Sequence, residues 1–597
     1  MSGTIEAPST PAPGDEGSGE AHVARSPSVS PRGEPRHARH ARHAQHAQHV
    51  RARGLAVPLA IGWVIRLLLA PFTSWNYDDS AWVKASSAGA YHLGLYRRPI
   101  ISYPPVWGHL LQALGQLLPH LGLPASSFAN VTPGTASLAL LGEMSPYITS
   151  PAYNLAFKSV LFAFDTGTAL VLYALVAHVS RNRRRARQAF IVFFLNPVVI
   201  FESGVMGDFD VIAAFAIILA IYWLVTRRYA LCGAAMAFGA LAKVVPALIV
   251  PLVLVSIVRT AWDADAPGAT RRAVGDLARF VAGALATAFV LLLPEIVSGS
   301  LGGIISATFG RESLSVQAVG GEALIGLSRI RGLFALHTYL QNHPAVINRL
   351  NLLGTAAAVL WAMVRIARRG ATPSILLSST GAVLGMLLLT APVGQPQYMI
   401  WLMPIVVALW VLYRAARFEL WVLSIGTPIF AAFILGPIGF FGPVAAFTPA
   451  LTVNQWMATI LDWTQPRVQG ILTTNASFQP SILVVAATVV AEVALVIRGI
   501  RRPESWAGST KEPEAAPAVT FKRGSSPSER AIRSRERIPR FLLGATLAVS
   551  VVLAVTTQAG TPSGAVRVTS ASVIGSDLNL RLGAQLGPAG ESLRLVA

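Results

Sequence analysis

Long apolar blocks separated by short Arg-rich turns run through most of this chain, and they leave it few folds to adopt. Inside hydrocarbon every backbone N–H and C=O must be paired within the protein, so only helices and closed barrels cross a bilayer. The blocks are near-continuous in apolar residues and lack the apolar/polar alternation of a membrane barrel strand. Of the 597 residues, 53% are hydrophobic and only 13% charged, against about 25% charged in a soluble domain. The expectation is an all-α polytopic membrane protein of about 13 transmembrane helices. Their positions are read as 55–73, 153–179, 189–203, 210–226, 229–242, 244–258, 278–298, 348–366, 374–391, 399–413, 418–440, 479–497 and 538–558.

The net charge of +20 would suggest nucleic acid in a soluble protein. Here the arginines sit between apolar blocks, so the excess of basic residues in cytoplasmic loops explains them and no nucleic-acid partner is expected. Clusters occur at Arg181–Arg187, Arg227-Arg228, Arg271-Arg272, Arg365–Arg369, Arg414–Arg417 and Arg498–Arg502. All share one side only if 229–258 makes two passes, as a hairpin with its tip at Lys243 just before Pro246. The N-terminus is then cytoplasmic, and the segments 74–152, 299–347 and 441–478 lie outside.

The same pattern sets the domain organisation. Residues 1–54 form a disordered basic tail rich in His and Arg, and 55–499 form the membrane core, with 74–152 its first outer loop. A basic cytoplasmic linker over 500–537, a last span at 538–558 and an outer tail at 559–597 follow. Val566, Val568, Val573 and Ile574 in that tail hint at a short strand or two. The lone cysteine, Cys232, lies within an apolar block and excludes an internal disulfide.

Against this apolar background the ionisable residues stand out, because carboxylates and ammonium groups at membrane depth are costly. Asp78 and Asp79 adjoin at the outer end of the first block, ahead of Trp82, Tyr91, Tyr96 and Tyr103-Pro104-Pro105. One of the pair suffices to cap a helix starting near Ser80; the second suggests a base at the mouth of a bundle. Asp208 and Asp210 form an Asp-x-Asp turn between two short apolar arms, suited to a divalent cation or simply to a polar link. Lys243 either pairs with a carboxylate such as Asp208 or meets a phosphate. Lys158 and Asp165, within one block, read as a structural polar seam. Pro392–Trp401 breaks the helix between two blocks, and its Gln395, Gln397 and Tyr398 suit hydrogen bonding to a sugar.

In this order these residues resemble the C-type glycosyltransferases, polytopic enzymes that take a sugar from a polyprenyl-phosphate carrier. Asp78, Trp82, Gly94, Tyr96 and Tyr103-Pro104-Pro105 match that pattern, followed by Asn196-Pro197, Gly207–Asp210, Lys243–Pro246 and Gln397–Pro404. The match runs from about residue 60 to 410 and is most similar to bacterial mannosyltransferases that use polyprenol-phosphate mannose. It departs at Ser102, where many relatives carry an acid, at Asp208, where they carry Gln, and at Lys243, which is not followed directly by Pro.

The resemblance implies a hexose, mannose favoured, moved to a cell-envelope glycolipid, glycan or protein on the outer face of the plasma membrane. Asp78, or Asp79, would be the general base, with Asp208, Asp210, Lys243, Tyr103, Gln397 and Tyr398 lining the substrate site and Lys243 or Arg311 facing the departing phosphate. Independently of the resemblance, no glycine-rich phosphate loop follows a strand, which argues for a lipid-linked donor over a nucleotide sugar. No cofactor is required for a monophosphate donor; Asp208 and Asp210 are the residues to hold a divalent metal if one takes part. A transporter or lipid-linked-sugar flippase also buries ionisable groups along a path, and a polymerase or ligase using a lipid diphosphate is a second enzyme alternative.

Overall fold

The computed structural model describes residues 54–96, 100–131, 147–263, 268–309, 339, 343–391, 396–429, 490–497 except 492, and strands within 567–596. Helices dominate. Gly54–Phe72 is α1, Asn76–Ala90 α2 and Pro105–His120 α3. A short hairpin, β1 (Ala129–Val131) on β2 (Tyr147–Thr149), leads into the 30-residue α4, Pro151–Ser180. Next come α5 (Arg183–Phe194) and α6 (Pro197–Met206), bent 46° from each other. Then follow α7 (Asp210–Val225), α8 (Tyr229–Ala242), α9 (Val245–Trp262), α10 (Ala269–Ser298) and α11 (Leu301–Phe309). After these lie α12 (Pro344–Arg369), α13 (Pro373–Thr390), a 3-10 turn at Pro396–Trp401 and α14 (Met403–Tyr413).

Several helix starts are written locally. Ser150-Pro151, Asn196-Pro197 and Thr372-Pro373 each place a capping side chain before a proline at the first helical position. The cap accepts one of the orphan N–H groups, and proline has no N–H to lose there. Ser150 Oγ accepts from Tyr153 N, Asn196 Oδ1 from Val198 N and Thr372 Oγ1 from Ile375 N.

Among the described residues, six helices are long and apolar enough to cross a membrane: α1, α4, α9, α10, residues 348–369 of α12, and α13. The bent pair α5–α6 makes a seventh if it is one broken span. The chain is a multi-pass membrane protein. The faces of α1, α10 and α12 carry exposed Leu68, Leu285, Phe289, Leu353 and Leu360, which a soluble protein would bury and a bilayer covers.

The expected count of 13 spans is not supported among the described residues. The helices α7, α8 and α14 have only 16, 14 and 11 residues. At 1.5 Å per residue the longest of these reaches about 24 Å, short of a core about 30 Å thick. The blocks at 418–440 and 479–497 are described only in part, and 538–558 lies outside the described residues. The expected side for the N-terminus rested on that span count and loses its support with it.

Short α7 is the centre of the bundle, buried from Asp210 to Leu224 and packed by α4 and α8, with α8 against α10 in turn. Near the C-terminus, Arg567–Ile574, Asp577–Gly583 and Leu593–Val596 form a three-stranded antiparallel sheet. Val568, Val573 and Ile574 fall on its first strand, as their β-branching suggests; Val566 lies outside the described residues.

Candidate functional site: a carboxylate and aromatic mouth

The short core helix begins where the chain makes its sharpest turn. After Met206 the backbone closes a π-turn, Phe201–Met206, and Gly207 turns with φ 77°, a left-handed conformation that favours glycine. The N–H groups of Gly207 and Asp208 both donate to Glu202 O, so the turn presents Asp208, Phe209 and Asp210 as one rigid unit.

Asp210 is fully buried, and its Oδ1 receives Lys243 Nζ at 2.5 Å and Trp401 Nε1 at 2.7 Å. Lys243 ends α8 in an extended conformation, φ −154° and ψ 141°, which swings its side chain off the helix. Four aromatic rings surround the ammonium, with Nζ 4.6 Å from the centre of Tyr398, 5.0 Å from Phe209, 5.2 Å from Trp401 and 5.8 Å from Tyr103. Each such contact is worth roughly 0.5–2 kcal/mol. Asp208 lies within hydrogen-bonding reach of Asp210 and Gln397, and its Oδ1 accepts from Phe209 N at 2.6 Å.

The helix α2 forms the opposite wall. Trp82 Nε1 donates to Gly207 O at 3.2 Å, and its ring packs on Tyr103, Trp107 and Phe209 at centroid distances of 5.7, 5.7 and 5.4 Å. Tyr96 Oη donates to Tyr103 O at 2.7 Å and holds the Tyr-Pro-Pro segment that leads into α3. Asp78, one helical turn before Trp82, is half-buried and lies within electrostatic reach of Tyr398. Burial pushes the Tyr398 hydroxyl up to about 12.

Asp79 has a different position. It is fully buried, and its Oδ2 accepts from Trp75 N at 2.9 Å, closing the first turn of α2. Burial pushes its carboxyl well above the usual carboxylate range; the nearby Lys158 ammonium opposes this and loses. The helix begins at Asn76, not near Ser80, and Asp79 caps it by reaching back. The two adjacent carboxylates thus divide between a cap and the mouth.

A separate cluster lies behind the mouth. Lys158 Nζ donates to Thr73 O at 2.6 Å, Val205 O at 2.9 Å and Gly204 O at 3.3 Å. Arg66 Nε meets Asp165 Oδ2 at 2.9 Å and Ser203 Oγ at 3.3 Å, while its two terminal nitrogens donate to Gly62 O and Phe194 O at 3.1 Å each. Lys158 and Asp165 do form a structural seam, but with other partners than each other. Arg66 was passed over in reading the sequence, although an arginine inside an apolar span is itself the signal.

Of the residues singled out from the sequence, Asp208, Asp210, Lys243, Tyr103, Gln397 and Tyr398 come together, with Asp78 facing them. The Lys243 partner is Asp210 rather than Asp208. Arg311, Pro392 and Gln395 lie outside the described residues. Phe209 was not singled out, and Trp401 only as part of the Gln397–Pro404 stretch; the fold turns both toward Lys243. Asp210 Oδ1 already holds Lys243, and among the described residues no group of three or more His, Cys, Asp or Glu is placed to share a metal ion.

Fold and site together define a multi-pass helical membrane protein with a polar mouth at the end of its bundle. Residues 129–315 match the family model of PIG-U, a GPI transamidase subunit. No curated protein matches the chain. The matched stretch takes in Asp208, Asp210 and Lys243 and leaves out Asp78, Tyr103, Gln397 and Tyr398.

Proposed function

We propose that the mouth binds a lipid-linked sugar and transfers a hexose, mannose favoured, from a polyprenyl-phosphate carrier to a glycolipid, glycan or protein of the cell envelope. The observation that carries this reading is the arrangement of a half-buried Asp78 across from an aromatic-walled Lys243. Asp78 takes the proton of the acceptor hydroxyl. The acceptor oxygen then bonds to the anomeric carbon, the carbon–oxygen bond to phosphate breaks with its electron pair on the phosphate, and the anomeric centre inverts. A positioned base contributes about 10²–10⁴-fold, enough where the leaving group is a phosphate. Lys243 supplies positive charge near that phosphate. The rings of Tyr103, Tyr398 and Trp401 offer flat apolar faces to a sugar, and Gln397 Oε1, buried with no partner among the described residues, offers an acceptor.

Placement in the plasma membrane is part of this proposal. The test is transfer from polyprenyl-phosphate mannose in membranes carrying Asp78→Asn or Asp79→Asn. Loss in the first with retention in the second is expected; full activity in both removes the base assignment.

A second reading is a subunit that recognises a lipid-linked glycan without acting on it. The match of residues 129–315 to a GPI transamidase subunit favours it, as does the closed Lys243–Asp210 pair. Binding of the lipid-linked sugar by the purified chain, with no product under any condition, would support this second reading.

A further inference from the structure

The end of the bundle away from the mouth carries a different chemistry. The helices α7 and α14 start at the mouth, at Asp210 and beside Trp401, and α4 runs alongside α7, with Phe164 and Gly167 against Phe215. These three helices pack pairwise, so their far ends share one end of the bundle. Along α4, Ser180 lies about 33 Å from Lys158, close to the thickness of a hydrocarbon core. Mouth and far end therefore fall at opposite headgroup layers.

All three helices stop in the same unusual way. Arg181 after α4, Arg227 after α7 and Arg414 after α14 have φ of 53°, 57° and 56°, the left-handed backbone that favours glycine. A positive charge suits a helix C-terminus, but the backbone does not suit arginine. The start of α5 shows the opposite conflict. Asn182 caps it, and Arg183, Arg184, Arg185 and Arg187 follow with no acid in the first turn, where the helix dipole opposes cations. Local preference therefore explains neither group of arginines.

Arg185 is half-buried and the others are exposed. None of them has an ion pair with a described residue. Of the acids described at this end, Glu419 is buried, and Asp263 and Asp276 are paired with Arg259 and Arg279. Trp262, which ends α9, and Trp421, four residues after Arg417, stand exposed beside this charge, as aromatic rings at headgroup depth do.

We propose that this end binds the phosphate headgroups of anionic phospholipids in the adjoining leaflet, through Arg181, Arg227, Arg414 and the arginines that open α5. Guanidinium forks hold phosphate oxygens in pairs, and each basic residue near an anionic membrane surface adds to the attraction. Orientation during insertion needs only positive charge on one side; lipid binding persists in the folded, purified chain. The bound lipid is distinct from a sugar donor, whose phosphate would meet Lys243 at the other end. The inference holds whether or not the mouth transfers a sugar.

The test is thermal unfolding of the purified full chain in an uncharged detergent, titrated with phosphatidylglycerol, phosphatidylcholine or inorganic phosphate. One variant combines Arg181→Gly, Arg227→Gly and Arg414→Gly, which keeps the left-handed turns without strain. A second combines Arg183→Gln, Arg184→Gln, Arg185→Gln and Arg187→Gln, which keeps a good helix former at each position. Phosphatidylglycerol should raise the wild-type unfolding temperature saturably by about 3 °C or more, phosphatidylcholine should not, and the rise should at least halve in each variant. Where a combined variant does not fold, the single Arg181→Gly, Arg227→Gly and Arg414→Gly variants are read in its place, each with a smaller rise than wild type. No rise with phosphatidylglycerol, an equal rise with phosphatidylcholine, or a full response in the folded variants overturns the proposal. An equal rise with inorganic phosphate at the same concentration assigns the arginines to a free anion and overturns the lipid.

Discussion

Two clusters of ionisable groups meet at the Phe201–Asp210 stretch, and their partners differ. In the seam, all three nitrogens of Arg66 are engaged by Asp165, Ser203 and two backbone carbonyls, and Lys158 is held by three carbonyl oxygens. In the mouth, Lys243 has one carboxylate and four aromatic faces, and its side chain is 13% exposed. The seam ties α1 to α4 and to the π-turn, and leaves none of those nitrogens over for a ligand. The mouth leaves Lys243 partly exposed among flat apolar surfaces. Buried charge alone therefore says little about function; what the charge is already bonded to separates the two.

That contrast breaks first at Asp78 and Arg66. Asp78→Asn should lower transfer by about 10²–10⁴-fold, or about 3–5 kcal/mol of barrier, while leaving the unfolding temperature near wild type. An equal loss of stability would place Asp78 in the seam class. Arg66→Met should do the reverse, destabilising the chain by about 3–5 kcal/mol through the abandoned Asp165 carboxylate. Thermal unfolding in detergent reads this, and a variant that stays stable but inactive would move Arg66 to the mouth.

Lys158→Met should cost about 1–3 kcal/mol, because Val205 O loses its Lys158 donor while Thr73 O keeps Asn154 Nδ2 and Gly204 O keeps Thr73 Oγ1. Asp79→Asn sharpens the comparison with a smaller effect of opposite sign. The folded carboxyl titrates above its ordinary 3.8, so its contribution to stability is fully present below pH about 4 and is lost as pH rises toward the folded value. The amide keeps the cap to Trp75 N and escapes that loss. It should raise the neutral-pH unfolding temperature, with the gain vanishing toward pH about 4; a gain independent of pH would refute the titration. Tyr398→Phe should change transfer only a few-fold, since the ring rather than the hydroxyl walls Lys243.

Much of this was legible in the chain, for identifiable reasons. Ser150-Pro151 and Thr372-Pro373 precede blocks read from 153 and 374, because capping is a local interaction, whereas the start at Asn196-Pro197 was read through as one block, 189–203. The break at Lys243 and the Gly207 turn are local too, and both appear where the apolar runs are interrupted. The span count was not legible: a block of 14 or 16 apolar residues reads alike whether it crosses lipid or ends inside the bundle. Arg66 was missed because an isolated charge names no partner.

The sequence by itself determined that the chain is helical and crosses a membrane, since unpaired backbone in hydrocarbon permits little else. It also determined which few polar residues the bundle must accommodate. Only the tertiary structure decided that Asp79 caps a helix while Asp78 faces the mouth, that Lys243 takes Asp210 rather than Asp208, and that Phe209 and Trp401 enclose it. Those pairings join residues up to 191 positions apart. No local preference encodes them; they follow from how α2, α7, α8 and the Pro396–Trp401 turn pack around one buried carboxylate.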